Sequence, residues 1–381
     1  MHDSVAIRRL SVKPLNLPLH APFGIAGGAQ DLARNLLVEI ELADGTLGLG
    51  EAAPFPAYNG ETQAQAARVL ADAAAWLPAI TARHPVGLDN WRGLAEEFSI
   101  RGGSASGSAR CGFETALLDA LTRRASVTLE RFFGGAGQVL ITDMTVTTGS
   151  PEESAAAVRK IRALGIRTVK VKVGGPRGPA HDLARLASIH EAAPDSPLII
   201  DGNAGLARAQ ATELVRGLRA LGVTPALLEQ WLAPDDLEGA AALAKESGWL
   251  LAADEAARTA ADVPKLAASG AAQLVNIKIM KSGLAAALDL AAAARAHGLG
   301  LMIGGNVESR LAMTTSACLA SGLGGFSFVD LDTPLFLSSD PFEGGMEYAL
   351  DRISLAKIRA GHGLSVRPGH ELPASCEQLS E

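Results

Sequence analysis

The chain has 381 residues, 48 % hydrophobic and 20 % charged, a balance that builds a folded protein and not a disordered one. Its net charge of −7, with no basic run, argues against nucleic acid or an anionic membrane surface as a partner. The three scattered cysteines, Cys111, Cys318 and Cys376, give neither a disulfide framework nor a zinc spacing. No stretch reads as a signal peptide or a bilayer span, so a cytoplasmic protein is expected.

In chain order, residues 5–53 read as a β-meander. Alternating runs at Ile7–Pro14, Asn35–Leu42 and Thr46–Glu51 are parted by polar or Gly-rich turns. The segment Pro22–Gln30 holds too much glycine for a strand and is expected to be a mobile loop. Ala/Leu-rich stretches at 61–83, 88–98 and 108–124 carry helical spacing, so the first third is α+β.

From about residue 137 the texture changes to short Val/Ile/Leu runs, each followed by an amphipathic stretch. Strands are expected at 139–146, 167–173, 197–201, 226–229, 249–253, 273–278, 299–304 and 326–330, with helices such as 151–164, 208–221, 283–297 and 309–321 between them. Strict β/α alternation implies a parallel sheet with helices outside, and eight such strands fit a closed barrel better than a doubly wound sheet. No Gly-x-Gly-x-x-Gly opens the first unit, which removes support for a dinucleotide fold. The stretch after Met346 carries another strand-like run that either returns to the first domain or is disordered.

Charged residues fall almost always at the C-terminal ends of these strands, the rim that builds active sites in barrels. Lys170 and Lys172 end the second strand, Asp201 the third, Glu229 the fourth, Asp254 the fifth, Lys278 the sixth, and Asp330 and Asp332 the eighth. Residues i and i+2 of a strand share a face, so Lys170 and Lys172 point the same way while Val169, Val171 and Val173 turn to the helices. Two buried ammonium groups side by side need anionic partners. Each acid alone has an ordinary reading as a turn or N-cap residue. That reading does not explain three carboxylates on consecutive strands flanked on both sides by lysines.

Asp201, Glu229 and Asp254 come from adjacent strands and can converge on one point. Three hard oxygen donors without His or Cys suit Mg²⁺, with Mn²⁺ as a substitute. In an eight-stranded ring the second and sixth strands are opposed, so Lys172 and Lys278 face each other across the cavity. Asp330 and Asp332, on the eighth strand, face the metal from the far side. A substrate carboxylate on the metal would have its α-proton acidified, with Lys170 as electrostatic support. Two bases on opposite faces of that carbon describe a racemase or epimerase.

With Lys-x-Lys, Asp-x-Asn, Glu, Asp-Glu and Lys278 on successive strands, nearly the whole chain resembles the enolase superfamily, in its muconate-lactonising-enzyme subgroup. Asp330-Leu-Asp332-Thr-Pro is similar to the Asp-x-Asp signature of dipeptide epimerases. The resemblance implies an α/β fold, a modified (β/α)7β TIM-like barrel over 126–345, capped by an N-terminal α+β domain over 1–125 that part of 346–381 completes. It implies catalysis by Lys172, Lys278 and Lys170, metal binding by Asp201, Glu229 and Asp254, and support of the metal by Asn203 from behind. It also implies substrate contacts from Thr145, Lys170, Gly305, Asn306 and Val307, with Asp330 and Asp332 on the α-ammonium of a dipeptide. Members specific for Ala-Glu resemble each other in a cap-loop arginine, whose place here is taken by Gly27. With Phe23, Ile25, Phe55 and Tyr58 in the cap loops, a small or apolar side chain is expected at the second residue, unless these four only pack the cap core. The expected partner is thus a small dipeptide, and a homo-oligomer is compatible with such a barrel. An N-acylamino-acid racemase, an o-succinylbenzoate synthase and a muconate-type cycloisomerase are the alternatives on the same scaffold. A non-catalytic binding barrel has no need to bury this set of charges.

Overall fold

The computed structural model describes residues 4–25 and 28–369. Strands β1 (Ile7–Ile25), β2 (Gly28–Leu42) and β3 (Leu47–Ala52) form an antiparallel meander. Its first hairpin is longer than the sequence suggests. Phe23 pairs with Gln30 and Gly24 with Ala29, so the segment expected as a loop is the tip of the ladder. Pairing of the main chain, together with Phe23 packed edge-on to Phe336 at 5.3 Å, offsets the entropy that the glycines lose. Ala26 and Gly27 lie outside the described residues.

Helices Gln63–Arg83, Trp91–Ile100 and Gly107–Arg124 complete the first third. Thr62 and Gln65 start the first of them with a reciprocal capping box. Gly107–Arg124 lies hard against β3. A Cβ on Gly48 would stand 2.2 Å from the Ala116 carbonyl, and one on Gly50 2.1 Å from that of Gly112. Only glycine lets the two backbones approach so closely.

The alternating region forms an eight-stranded parallel sheet in chain order: β5 (Met144–Val146), β6 (Val169–Lys172), β7 (Leu198–Asp201), β8 (Leu227–Glu229), β9 (Leu251–Ala253), β10 (Leu274–Ile277), β11 (Gly300–Ile303) and β12 (Phe326–Val329). The Asp143 N–H donates to the Val329 carbonyl at 3.0 Å and joins the two ends of this sheet. The run expected as one strand over 139–146 is broken. β4 (Leu140–Ile141) leaves the barrel to pair with β15 (Arg352–Ser354), and only Met144–Val146 enters the ring. Val169, Val171 and Val173 pack under the outer helices with Val158, Ile161, Leu186 and Ile189. Ile199, Leu227, Ala252, Leu274 and Met302 fill the barrel interior, and the first three stand two residues before Asp201, Glu229 and Asp254. Strand parity thus sets an apolar floor beneath a charged layer.

Beyond the barrel, β13 (Phe342–Gly344) pairs with β16 (Leu364–Val366), and β14 (Glu347–Ala349) with β15. His362 returns to the first third: its ring Nε2 lies 3.0 Å from the Leu49 carbonyl, and its N–H donates to Asp119 at 2.9 Å. Among the described residues no helix is long and apolar enough to cross a membrane.

Candidate active site

The register of the parallel sheet sets Lys172 beside Asp201 and Asp201 beside Glu229 at the same level. Lys172 Nζ donates to Asp201 Oδ2 at 2.7 Å. Lys170 is 1 % exposed, and its ammonium lies 2.7 Å from Asp330 Oδ2 and 2.9 Å from both Asp201 Oδ2 and Glu229 Oε2. Lys278 Nζ stands 2.7 Å from Asp254 Oδ2 and 5.1 Å from the centre of the Tyr58 ring. The lysines and acids singled out in the sequence therefore form a buried charged network of two ion-paired groups, Lys170 and Lys172 with Asp201, Glu229 and Asp330, and Lys278 with Asp254, while Asp332 bonds Thr145.

One contact was not expected. The ring geometry sets Asp330 across the cavity from Glu229, yet one ammonium touches both. The Lys170 ammonium bridges acids from opposite strands of the sheet.

Burial favours the neutral form of every group here, and the local charges decide the outcome. Burial pulls the Lys170 ammonium down, but Asp201, Asp330 and Glu229 outweigh it and hold it well above the usual lysine range. Lys278 behaves alike, with Asp254 as the main counter-charge. Burial pushes Asp201 up, and Lys170 and Lys172 more than reverse this. For Asp254 the reversal comes from Lys278 and Lys281. Glu229, desolvated and beside Asp201, is pushed up to about 7, and Glu255, desolvated beside Asp254, to about 8.

The carboxylates suit a hard divalent cation. Glu229 Oε2 and Asp254 Oδ2 are buried and receive no well-directed hydrogen bond, although ammonium groups lie near them. Asn203, at φ 40° in the tight turn after β7, donates its N–H to Asp201 at 2.9 Å, and its buried Oδ1 has no partner among the described residues. The carboxylates that crowd closest are a different set, however. One oxygen each of Asp143, Asp330 and Asp332 lies within 4.8 Å of the others.

Above the network is a small cavity. The cap supplies Phe23, Ile25, Phe55 and Tyr58 to its wall; the barrel supplies Lys172, Lys278, Asp330 and Asp332, with Thr145, Asn203, Gly305 and Asn306 between them. Asp332 Oδ2 accepts the Thr145 N–H at 2.7 Å, and its buried Oδ1 has no hydrogen-bond partner among the described residues. Val307 does not line this cavity. It packs with Leu311 and Phe55, and its carbonyl accepts Asn35 Nδ2 at 3.0 Å. Asn35 also donates to Glu51 at 2.7 Å, and Glu51 accepts the N–H groups of Ser309 and Ala312 at 2.9 and 3.1 Å. A buried cap carboxylate thus caps helix Arg310–Leu323 and fixes the loop that carries Gly305 and Asn306.

Residues 153–370 match the family model described as enolase C-terminal domain-like, and residues 7–134 that of the mandelate racemase/muconate lactonizing enzyme N-terminal domain. An aromatic dipeptide epimerase from Herpetosiphon aurantiacus is 47 % identical over 362 residues, 94 % of this chain and 99 % of that one. The chain belongs to the dipeptide epimerase family of the enolase superfamily. A mandelate racemase/muconate lactonizing enzyme structure from Roseiflexus superposes with a TM-score of 0.88 at 48 % identity, covering 96 % of this chain and 99 % of that one. A dipeptide epimerase from Enterococcus faecalis, complexed with Mg and L-Leu-L-Tyr, gives 0.85 at 28 % identity, covering 94 % and 99 %.

Against the other members of this dipeptide epimerase network, three residues escaped the sequence reading. Lys281 is buried, and its ammonium bonds Asp254 Oδ1 at 3.0 Å and the carbonyls of Asp254, Ala257 and Asn276 at 2.9, 2.8 and 2.6 Å. Asn276 Nδ2 donates to Glu229 at 2.8 Å. Asp143 is the third. Strand parity was a usable signal for two of them, since Asn276 and Asp143 stand two residues before Lys278 and Thr145. Lys281 carried no such signal, because a lysine in a helical turn ordinarily faces water.

Proposed function

We propose that the chain is a Mg²⁺-dependent dipeptide epimerase that inverts Cα of the C-terminal residue of an L-Xaa-L/D-Xaa dipeptide, with an apolar or aromatic residue preferred at that position and no specificity for Ala-Glu. One observation carries the reading: Lys172, Lys278, Asp330 and Asp332 line a single cavity under an apolar lid of Phe23, Ile25 and Phe55. A zwitterionic dipeptide offers a carboxylate to the cationic side and an ammonium to the acidic side. An aromatic dipeptide epimerase among the relatives and the L-Leu-L-Tyr complex support an apolar second residue. N-acylamino acids, succinylbenzoate and muconate bring no cation to meet Asp330 and Asp332, which disfavours those substrates.

Asp201, Glu229 and Asp254 would hold Mg²⁺, with Asn203 behind them. When bound, the ion would act as a Lewis acid toward the substrate carboxylate and so acidify the neighbouring Cα–H. Lys172 Nζ removes the proton on one face of that carbon and Lys278 Nζ returns one on the other; the roles reverse for the opposite isomer. Lys170 balances the charge that gathers on the carboxylate. Asp332 Oδ1, which no donor meets among the described residues, receives the ammonium. We assign residues 1–125 to the cap and 126–345 to the barrel. We also place the enzyme in the cytoplasm, a reading supported by the buried free thiols Cys111 and Cys318.

The test is incubation of a dipeptide library with enzyme and Mg²⁺ in D₂O, read by mass. Deuterium is expected at Cα of the C-terminal residue, with apolar and aromatic residues leading. No incorporation into any dipeptide refutes the reading.

A further inference from the structure

Asp143 has no part in the chemistry described so far, yet it is 1 % exposed at the seam where the barrel closes. Three hydrogen bonds stitch that seam around it. The Asp143 N–H donates to the Val329 carbonyl at 3.0 Å, the Leu331 N–H to Thr142 Oγ1 at 3.0 Å, and the Thr145 N–H to Asp332 Oδ2 at 2.7 Å. The carboxyl groups of Asp143, Asp330 and Asp332 are therefore held together by main chain that cannot spread apart, with an oxygen of each within 4.8 Å of the others.

The partners are unevenly shared. Asp330 takes Lys170 at 2.7 Å, and Asp332 takes Thr145. Among the described residues no N–H or O–H donates to either oxygen of Asp143. A buried carboxylate with no donor, beside two others, is the costliest arrangement for a negative charge. Burial, then Asp330 and Asp332, push the Asp143 carboxyl well above the usual carboxylate range, and Lys170 opposes them only in part. A proton on Asp143 removes the conflict and gives Asp330 a second donor beside Lys170.

We propose that Asp143 is a positioning residue, a neutral carboxylic acid that donates its proton to Asp330 and so fixes Asp330 on Lys170, leaving Asp332 as the free carboxylate for the substrate's ammonium. With Asp201 and Glu229 given to Mg²⁺, the charges then match: Asp330 answers Lys170, and Asp332 answers one ammonium. An ionised Asp143 would leave a buried negative charge unanswered even with substrate bound. The proposal rests on the reading of Asp332 as the ammonium partner.

Two measurements on the Mg²⁺-loaded enzyme test it. Infrared difference spectra of wild type against Asp143→Asn, at slightly alkaline pH, are expected to show a carboxylic-acid carbonyl band that shifts in D₂O and is lost in the variant. Kinetics then compare L-Ala-L-Phe with propionyl-L-phenylalanine, the same molecule without its ammonium. Asp143→Ala, which leaves Asp330 without its donor, is expected to raise KM for the dipeptide about tenfold or more and spare the propionyl compound. Asp143→Asn mimics the acid in shape and retains a donor, so it should recover most of that loss.

No band difference refutes the neutral acid. Equal losses in the Asn and Ala variants would mean that Asp143 acts as a charge, and equal losses on both substrates that it only supports the fold; either overturns the proposal. If Asp143→Ala does not fold, the spectrum and the Asn variant decide. If Asp332→Asn fails to distinguish the two substrates, it is the ammonium reading that falls, while the infrared result still reports where the Asp143 proton is.

Discussion

Asp332→Asn separates recognition of the ammonium from the chemistry at Cα. The native side chain is fully buried, with Oδ2 on the Thr145 N–H at 2.7 Å and Oδ1 free of hydrogen-bond partners among the described residues. Asparagine keeps an acceptor for Thr145, so the seam of the barrel stays closed. It removes the cavity-lining carboxylate that no lysine holds among the described residues, because Asp330 is held by Lys170 at 2.7 Å. Stripping one partner from a buried ion pair costs about 3–5 kcal/mol. Asp330 remains nearby and returns part of that attraction, which leaves about 2–3 kcal/mol, or roughly 30- to 150-fold in kcat/KM. The assay is deuterium exchange at Cα for L-Ala-L-Phe and for propionyl-L-phenylalanine, with kcat and KM resolved for each. The dipeptide should lose through KM, and the propionyl compound should hold or gain. An equal loss on both substrates would show that Asp332 serves the barrel and not the ammonium.

Four further outcomes follow from the geometry. Lys281→Met leaves the Asp254, Ala257 and Asn276 carbonyls without their ammonium and should destabilise the fold by about 3–5 kcal/mol in calorimetry; an unchanged melting temperature contradicts this. Tyr58→Leu removes the ring beside Lys278, so exchange from the isomer that Lys278 deprotonates should fall while the isomer served by Lys172 is spared. Tyr58→Phe keeps the ring and should lie between the two; equal effects on both isomers refute the pairing. Burial and Asp330 push Asp332 up to about 7, and the ammonium binds its ionised form, so KM for dipeptides should rise as pH falls below that value, with no such rise for the propionyl compound. Mg²⁺ at a hundredfold its Kd should stabilise the protein by about 2.7 kcal/mol, an effect lost in Glu229→Gln and kept in Asp143→Asn. The reverse pattern would move the ion to the Asp143, Asp330 and Asp332 cluster.

Much of this was legible because parallel barrels write their plan in one dimension. Each short apolar run became a strand within two or three residues of its expected ends, except the run at 139–146. There Leu140 and Ile141 were drawn off by a strand more than two hundred residues later, which no local pattern announces. The pairing of residues 23–25 with 28–30 was missed for a related reason. Its glycines argue for a loop, and only pairing across the turn and contact with Phe336 argue for a ladder. Local propensity was the weaker term in both places.

The site was legible by parity and blurred by reach. Period-two alternation fixed which face Lys170, Lys172, Asp201 and Glu229 share, and the observed register puts the last three level. Parity is silent on how far a side chain extends. Lys170 therefore joins Asp330, 160 positions away in the chain, to the acids of β7 and β8, where strand counting had set them apart. That contact has a consequence for charge. With Lys170 shared among Asp201, Glu229 and Asp330, no single acid owns a full counter-charge, and Glu229 is held at about 7 while Asp201 stays ionised. A divalent ion among Asp201, Glu229 and Asp254 would supply what one lysine cannot, and would free Lys170 to face the substrate carboxylate. The second lysine of the pair, Lys172, gives its ammonium to Asp201, and it must shed a proton and leave that bond before its nitrogen can take the one on Cα.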